Sequence, residues 1–206
     1  MIKSPRKNFL TGFTLIEIMV AVSIFATVAV IAIGAVLSAN DINKKAQAIK
    51  TVMDNLNFAL DSMTLKLKQG GGYYCAASDD FDDSPSYLTD ADSRDCASGG
   101  TAIAFKLATG ETPLPQFIYR FNGDTGKLQV STGNEGSSMS PFTDVVASEI
   151  NIESGLFYVA GNCNISTPEC DPTSSQPRVI ISMHGKATIG QQSSDFAIQT
   201  TVSDRR

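Results

Sequence analysis

The apolar positions of the chain are distributed unevenly, and their longest run lies near the start. Residues 13–37 read FTLIEIMVAVSIFATVAVIAIGAVL, with Glu17 as the one charged residue. Because a helix rises about 1.5 Å per residue, about 25 residues reach roughly 37 Å, which crosses a hydrocarbon core about 30 Å thick with some tilt. Nothing else in the chain is apolar enough to surround such a helix. The pattern therefore predicts a membrane span rather than a buried core helix.

Beyond residue 37 the apolar positions continue at helical spacing, in steps that alternate between four and three residues. They form one stripe, which comprises Ile42, Ala46, Ile49, Met53, Leu56, Leu60, Met63 and Leu67. Charged residues lie off this stripe, and the glycines at 70–72 end the pattern. One helix of about 55 residues, from near Phe13 to near Gln69, is predicted, apolar all round at first and then amphipathic. The stripe spans few heptads, which favours packing on the protein's own sheet over a coiled coil.

The second half of the chain changes to the two-residue alternation that is typical of strands. Residues 70–100 show neither period, and their acidic, breaker-rich composition predicts a long loop. Strand patterns follow at 102–107, 117–121, 127–130, 150–159, 178–183 and 196–202, with a Gly/Ser-rich loop at 131–141. A turn sequence at 122–126 joins the second and third strands into a hairpin. The predicted fold class is α+β, with the long N-terminal helix packed on a mostly antiparallel β-sheet.

Charge gives the membrane span an orientation. Lys3, Arg6 and Lys7 precede the span without an acidic residue among them. Because positively charged flanks stay in the cytoplasm, the rest of the chain is predicted to lie outside. An ordinary secretory signal has a shorter apolar region that a small-residue cleavage site closes, unlike this segment. Removal of residues 1–12 makes the formal net charge of −5 three units more negative, which disfavours generic binding to nucleic acid.

The four cysteines all follow the membrane segment, where an exported domain forms disulfides. Three pairings are possible, and we favour Cys75–Cys96 with Cys163–Cys170 because each closes a short polar loop. Their spacing is not that of a zinc site, and the one histidine, His184, is interpreted as a surface or core residue. Weak candidates for calcium ligands are Asp79, Asp80, Asp82 and Asp83. Their spacing does not match an EF-hand, so a solvated acidic loop and no cofactor are predicted.

The residues GFTLIE at 12–17, between a basic leader and an apolar helix, resemble the signal of type IV prepilins. Type IV pilins, type II secretion pseudopilins and competence pilins share this signal, and the close match covers residues 6–37. The resemblance implies that prepilin peptidase cuts between Gly12 and Phe13 and methylates the new amine of Phe13. It also implies that Glu17, which matches the acid at the fifth mature position, acts in assembly.

The position of Glu17 supports this implied role on physical grounds. A carboxylate inside a membrane segment is costly when it is unpaired, so such residues are usually functional. The amine of Phe13 in an incoming subunit can pair with Glu17 of a subunit already in the filament and so set their register. A simpler interpretation is an acid favoured by the dipole at the start of a helix, and both interpretations can hold together.

These inferences divide the chain into five segments and indicate a structural role. The segments are a leader (1–12), a transmembrane and assembly helix (13–37), its amphipathic continuation (38–69), an acidic disulfide-pinned loop (70–100) and a β-sheet domain (101–206). We expect a subunit, of the minor type, in a type IV pilus or a type II secretion pseudopilus. The alternative is a pilin-like binding module whose exposed domain binds DNA, a surface or an exported substrate. No catalytic motif is present, so an enzyme is not predicted.

The resemblance also implies a location and a set of partners. The precursor is expected in the cytoplasmic (inner) membrane as a single-pass protein, with its N-terminus in the cytoplasm and its C-terminal domain outside. The expected partners are prepilin peptidase, other pilin or pseudopilin subunits, an inner-membrane assembly platform and, before assembly, membrane lipid. No nucleic acid is expected as a partner.

Overall fold

A computed structural model describes residues 12–77, 81, 94–107, 113–134, 137–161, 176–189 and 192–203. One helix, α1, spans Leu15–Gln69 and is followed in the described part by nine strands. The strands are β1 (Gly70–Ala76), β2 (Cys96–Gly100), β3 (Ala102–Leu107), β4 (Pro115–Asn122), β5 (Lys127–Asn134), β6 (Thr143–Asp144), β7 (Ile150–Ala160), β8 (Arg178–Ile189) and β9 (Gln192–Ser203). The single helix of 55 residues confirms the prediction from the apolar pattern.

The chain separates into two compact units, Met1–Gln47 and Ala48–Arg206. In the described part of the first unit, α1 exposes every side chain except that of Ala29, which is half-buried. By length and composition, α1 is the one helix in the described residues that qualifies as a membrane span, with a mean hydropathy of 2.7 over its most apolar window.

In the second unit, the strands form two sheets rather than the one that was predicted. The larger sheet has the order β1-β3-β4-β5-β6, and the smaller has the order β2-β7-β8-β9. Every pair of neighbouring strands is antiparallel. The architecture is α+β, with the long N-terminal helix packed with antiparallel sheets, which confirms the predicted fold class.

The second half of α1 shares one hydrophobic core with both sheets. Its buried residues are Val52, Leu56, Ala59, Leu60, Met63 and Leu67. They pack with Phe105 and Tyr119 of the larger sheet and Phe157 of the smaller sheet. Full burial of one leucine contributes about 2 kcal/mol. The predicted stripe is wrong at its first two positions, Ile42 and Ala46, which are exposed because the compact unit begins at Ala48.

The segment after α1 corrects the predicted loop at 70–100, because both of its ends are strands. β1 begins directly after the helix and pairs with β3. The buried hydroxyl of Tyr73 donates a hydrogen bond of 2.7 Å to the carbonyl oxygen of Leu67, which caps the end of α1. A Cβ at Gly70 would overlap the ring of Phe105, so glycine allows the close approach of strand and aromatic ring.

The remaining strands follow the predicted pattern with local differences. The hairpin of β4 and β5 is confirmed, and Asn122 Oδ1 holds its turn by accepting bonds from the backbone nitrogens of Asp124 (3.0 Å) and Thr125 (3.1 Å). β5 extends to Asn134 and shortens the predicted Gly/Ser-rich loop. β7 is one strand with an irregularity between Ile152 and Ser154. The two-residue β6 was not predicted.

Candidate functional site

Two side chains close the first turn of α1 by bonding to each other's backbone. Glu17 Oε2 accepts hydrogen bonds from the backbone nitrogen of Thr14 (3.2 Å) and from its hydroxyl (3.1 Å). Thr14 Oγ1 in turn accepts a bond of 3.3 Å from the backbone nitrogen of Glu17. This reciprocal arrangement is a capping box, and the loss of such a cap typically costs about 1 kcal/mol. It explains why the helix begins at Leu15.

The capping box could have been found in the sequence, although our interpretation of the acid considered only the helix dipole. Thr14 and Glu17 stand in the spacing S/T-x-x-E immediately before an apolar run, which is the signature of this cap. Only one carboxylate oxygen of Glu17 takes part in it. Among the described residues, Oε1 of Glu17 makes no hydrogen bond, so it is available for a further partner.

The predicted cleavage site lies just outside the helix. Gly12, Phe13 and Thr14 are not helical, and Phe13 is 82% exposed. No described atom lies within 4 Å of a Cβ built on Gly12. The bond between Gly12 and Phe13 is therefore open to a protease, as exposed and irregular segments usually are. The first turn brings the three predicted residues Gly12, Phe13 and Glu17 together.

The polar groups within the apolar helix are satisfied locally, with one exception. Ser23 Oγ donates a bond of 2.8 Å to the carbonyl of Met19, and Thr27 Oγ1 donates one of 2.7 Å to the carbonyl of Ser23. Such bonds let hydroxyl groups enter lipid without unsatisfied donors. Between Leu15 and Leu37, the remaining polar side chain is Glu17. Its carboxylate is thus the polar group of this segment that most needs a partner outside its own helix.

The structure confirms the predicted disulfide between Cys75 and Cys96. Cys75 lies in β1, at an edge of the larger sheet, and Cys96 lies in β2, at an edge of the smaller sheet. The bond therefore ties the two sheets together, with the two Cα atoms 5.8 Å apart. Next to it, the backbone nitrogen of Cys75 donates a bond of 3.1 Å to the carbonyl of Arg94. The sequence indicated the pairing but not that it joins two sheets.

A buried arginine holds the same connection at a third point. Arg120 Nη1 in β4 donates a bond of 2.9 Å to the carbonyl oxygen of Phe81. Its guanidinium carbon lies 3.7 Å from the centroid of the Phe142 ring, a favourable cation–π distance. The Phe81 side chain is buried and belongs to a small cluster with Ile118 and Met139. The segment between Cys75 and Cys96 is thus fixed to the larger sheet as well as to β2.

The predicted calcium ligands and the second disulfide lie outside the described residues. These positions are Asp79, Asp80, Asp82, Asp83, Cys163 and Cys170. The described part of the chain contains no group of three or more His, Cys, Asp or Glu side chains placed to hold a metal ion. Both the weak calcium candidates and the pairing of Cys163 with Cys170 therefore stay predictions.

His184 belongs to a charged group on the exposed face of the smaller sheet. Its Nδ1 lies 3.4 Å from Glu153 Oε2, and half of its side chain is exposed. Lys186 Nζ lies 2.6 Å from Glu153 Oε1. The hydrogen bond from Lys186 lowers the pKa of Glu153, and the same bond raises the pKa of Lys186. His184 is thus a surface histidine, one of the two placements that we predicted.

Comparison with known families gives one match, at the start of the chain. Residues 11–33 match the prokaryotic N-terminal methylation motif, which supports a type IV prepilin-like family. That family consists of structural pilins and is not a class of enzymes. The apolar helix and the motif are consistent with membrane anchoring followed by incorporation into a pilus. No curated protein and no solved structure matches the chain.

Proposed function

We propose that this protein is a structural subunit, of the minor type, in a type IV pilus or a type II secretion pseudopilus. The observation that carries the proposal is the position of the methylation motif, which opens a helix whose apolar side chains are exposed throughout its first half. Such a surface requires lipid or other helices around it. Lipid meets this need before assembly, and the helices of neighbouring subunits meet it within a filament.

In this proposal, Glu17 joins neighbouring subunits through its free carboxylate oxygen. Oε2 remains in the capping box with Thr14, while Oε1 accepts a charge-assisted bond from the amine of Phe13 in the next subunit. The pairing removes an unpaired charge from an apolar setting, where its cost is large. Assembly therefore depends on cleavage after Gly12, because the amine does not exist in the precursor.

The proposed life cycle begins in the cytoplasmic membrane. The precursor spans it once, with the basic leader in the cytoplasm and the β-sheet unit outside, and prepilin peptidase removes residues 1–12. The mature subunit then passes from lipid to the filament through an inner-membrane assembly platform. The chain itself performs no catalysis, and its role is polymerisation and contact with other subunits.

The processing step is tested by the mass of the mature N-terminus. We expect mass spectrometry of the protein from its native membrane to find a chain that begins at Phe13 and carries one methyl group. Gly12→Val should block cleavage without affecting the fold, because no described atom lies near a side chain at this position. Gly34→Ala, at another open position of the same segment, should be cut normally. A mature chain that begins elsewhere would contradict the proposal.

Two exposed apolar residues mark a second surface for contact with neighbouring subunits. Phe58 and Leu65 are 77% and 58% exposed, and they lie on one face of α1 because they are seven residues apart. Phe58→Glu with Leu65→Glu should reduce incorporation into filaments by about tenfold or more, equivalent to about 1.4 kcal/mol. Asn57→Glu, at an exposed neighbouring position, is the control and should assemble normally.

This second test measures the sheared filament fraction together with the thermal unfolding of each variant. The double variant should unfold at the wild-type temperature, since neither side chain belongs to the core. Normal incorporation of the double variant would show that this face of the helix makes no contact in the filament.

A further inference from the structure

β9 forms one edge of the smaller sheet over its whole length. Its 12 residues pair with β8 from Gln192 to Ser203 without a shift of register. In an antiparallel edge strand, alternate residues direct their N–H and C=O groups away from the sheet, so about six of each face outward here. No other strand of the described chain lies beside them. β9 therefore presents a long and regular row of backbone donors and acceptors.

The other sheet edges in the described chain are short or tied together. β6 has 2 residues. β1 bonds with Arg94, whose backbone nitrogen donates a bond of 2.9 Å to the carbonyl of Tyr73. β2 is joined to β1 by the disulfide between Cys75 and Cys96. Among these edges, β9 is the one that is both long and open.

β9 lacks the features with which proteins usually prevent the pairing of edge strands. These features are lysines, prolines, bulges and inward-pointing charges. The sequence QSSDFAIQTTVS contains no basic residue and no proline, and its one charge, Asp195, points outward. On the inner face, Phe196 and Val202 are buried, while Ile198 is half-buried at the margin of the core. The edge thus ends the sheet at an incompletely covered apolar residue.

We propose that β9 is a docking surface for β9 of a second copy of this chain, paired antiparallel and centred on Ile198. In this register, the Ile198 side chains of the two copies meet on the inner face and cover each other. The inner and outer faces of both sheets stay continuous, whereas a shift by one residue would exchange them. This proposal goes beyond the filament role and does not depend on it.

The distribution of charge favours this occupant and this direction. In the antiparallel pairing, Asp195 lies opposite Thr201 of the second copy. The two Asp195 carboxylates are then six residues apart along the strands, about 20 Å, which exceeds the Debye length of about 8 Å. A parallel pairing in register would place them side by side, and like charges opposite each other are destabilising. The edge is thus compatible with an identical strand in the antiparallel direction.

The register is tested by adding lysines at different places on the same edge. Ala197 lies opposite Gln199 of the second copy, so Ala197→Lys with Gln199→Lys places lysines directly against lysines. Thr201→Lys adds a lysine opposite Asp195 instead. Analytical ultracentrifugation of the full chain in detergent micelles should show a dissociation constant of the dimer that rises at least about tenfold for the double variant. For Thr201→Lys it should be unchanged or lower.

Cross-linking supplies an independent measurement. Co-expressed chains carrying Ala197→Cys and Gln199→Cys should form a mixed disulfide, because opposite residues lie about 4.5–5.5 Å apart between Cα atoms. Either variant alone should form much less, and so should Thr188→Cys, an exposed position on β8. Circular dichroism of each variant checks that its fold is retained.

Four results would overturn the proposal. They are a monomer at every concentration, association that survives the double lysine variant, equal weakening by Thr201→Lys, and cross-linking that is as strong at Thr188 as at the edge. A cross-linked product that contains one copy of this chain and a different protein would assign the edge to another partner and would also overturn it.

Discussion

The Glu17→Ala variant inserts into the membrane and is cut after Gly12, but it does not enter the filament: this is the largest functional effect that we expect. The substitution removes the one charged group of the apolar segment, so insertion becomes easier. It also removes the partner for the amine of Phe13 in the next subunit, which is then left as an unpaired charge among apolar helices. The measurement is the sheared filament fraction, with the mature N-terminus determined by mass spectrometry.

Glu17→Gln separates the two functions that the structure gives to this side chain. A glutamine retains the oxygen that caps Thr14, since a capping box accepts either residue. It lacks the negative charge that the amine requires. We expect this variant to be excluded from filaments almost as strongly as the alanine variant. Normal incorporation of Glu17→Gln would show that the cap alone matters and would refute the pairing between subunits.

The sequence predicted the helix and its candidate site well, because both depend on interactions between near neighbours. The cleavage residues Gly12 and Phe13, the acid Glu17 and the cap between Thr14 and Glu17 all lie within one short segment. The length of α1 likewise follows from a periodic pattern that ends at glycines. Only the first positions of the amphipathic stripe were misjudged, because helical periodicity does not show where the rest of the chain begins to cover the helix.

The division into two sheets was not predictable in the same way. β1 and β2 lie in a stretch without strand periodicity, and their partners are distant in the sequence or on another sheet. Glycines and small residues weaken the alternation there, yet Tyr73 and Cys75 are buried because tertiary packing covers them. The anchoring of Phe81 by Arg120 also depends on a contact across the fold. Such pairings are decided by the whole chain rather than by local pattern.

The second large effect concerns the disulfide that ties the two sheets. Cys75→Ala with Cys96→Ala opens a loop whose ends are 21 residues apart. Loop-closure entropy assigns about 3 kcal/mol to a link of this length, so the free energy of unfolding should fall by about that amount. For a unit of this size, the melting temperature should fall by roughly 6–12 °C. Urea and thermal unfolding of the full chain in detergent, followed by circular dichroism, measure both quantities.

The location of the loss tests the structural role of the bond more sharply than its size. Hydrogen exchange should accelerate most in β1 and β2, whose contact the disulfide fixes, and least in the hairpin of β4 and β5, which pairs without it. Reductant should destabilise the wild type more than the double variant, because the variant has already lost this bond. Uniform acceleration across both sheets, or a loss below about 0.5 kcal/mol, would contradict a specific tie between the sheets. In that case, the shared core of α1 and the sheets would suffice to hold them together.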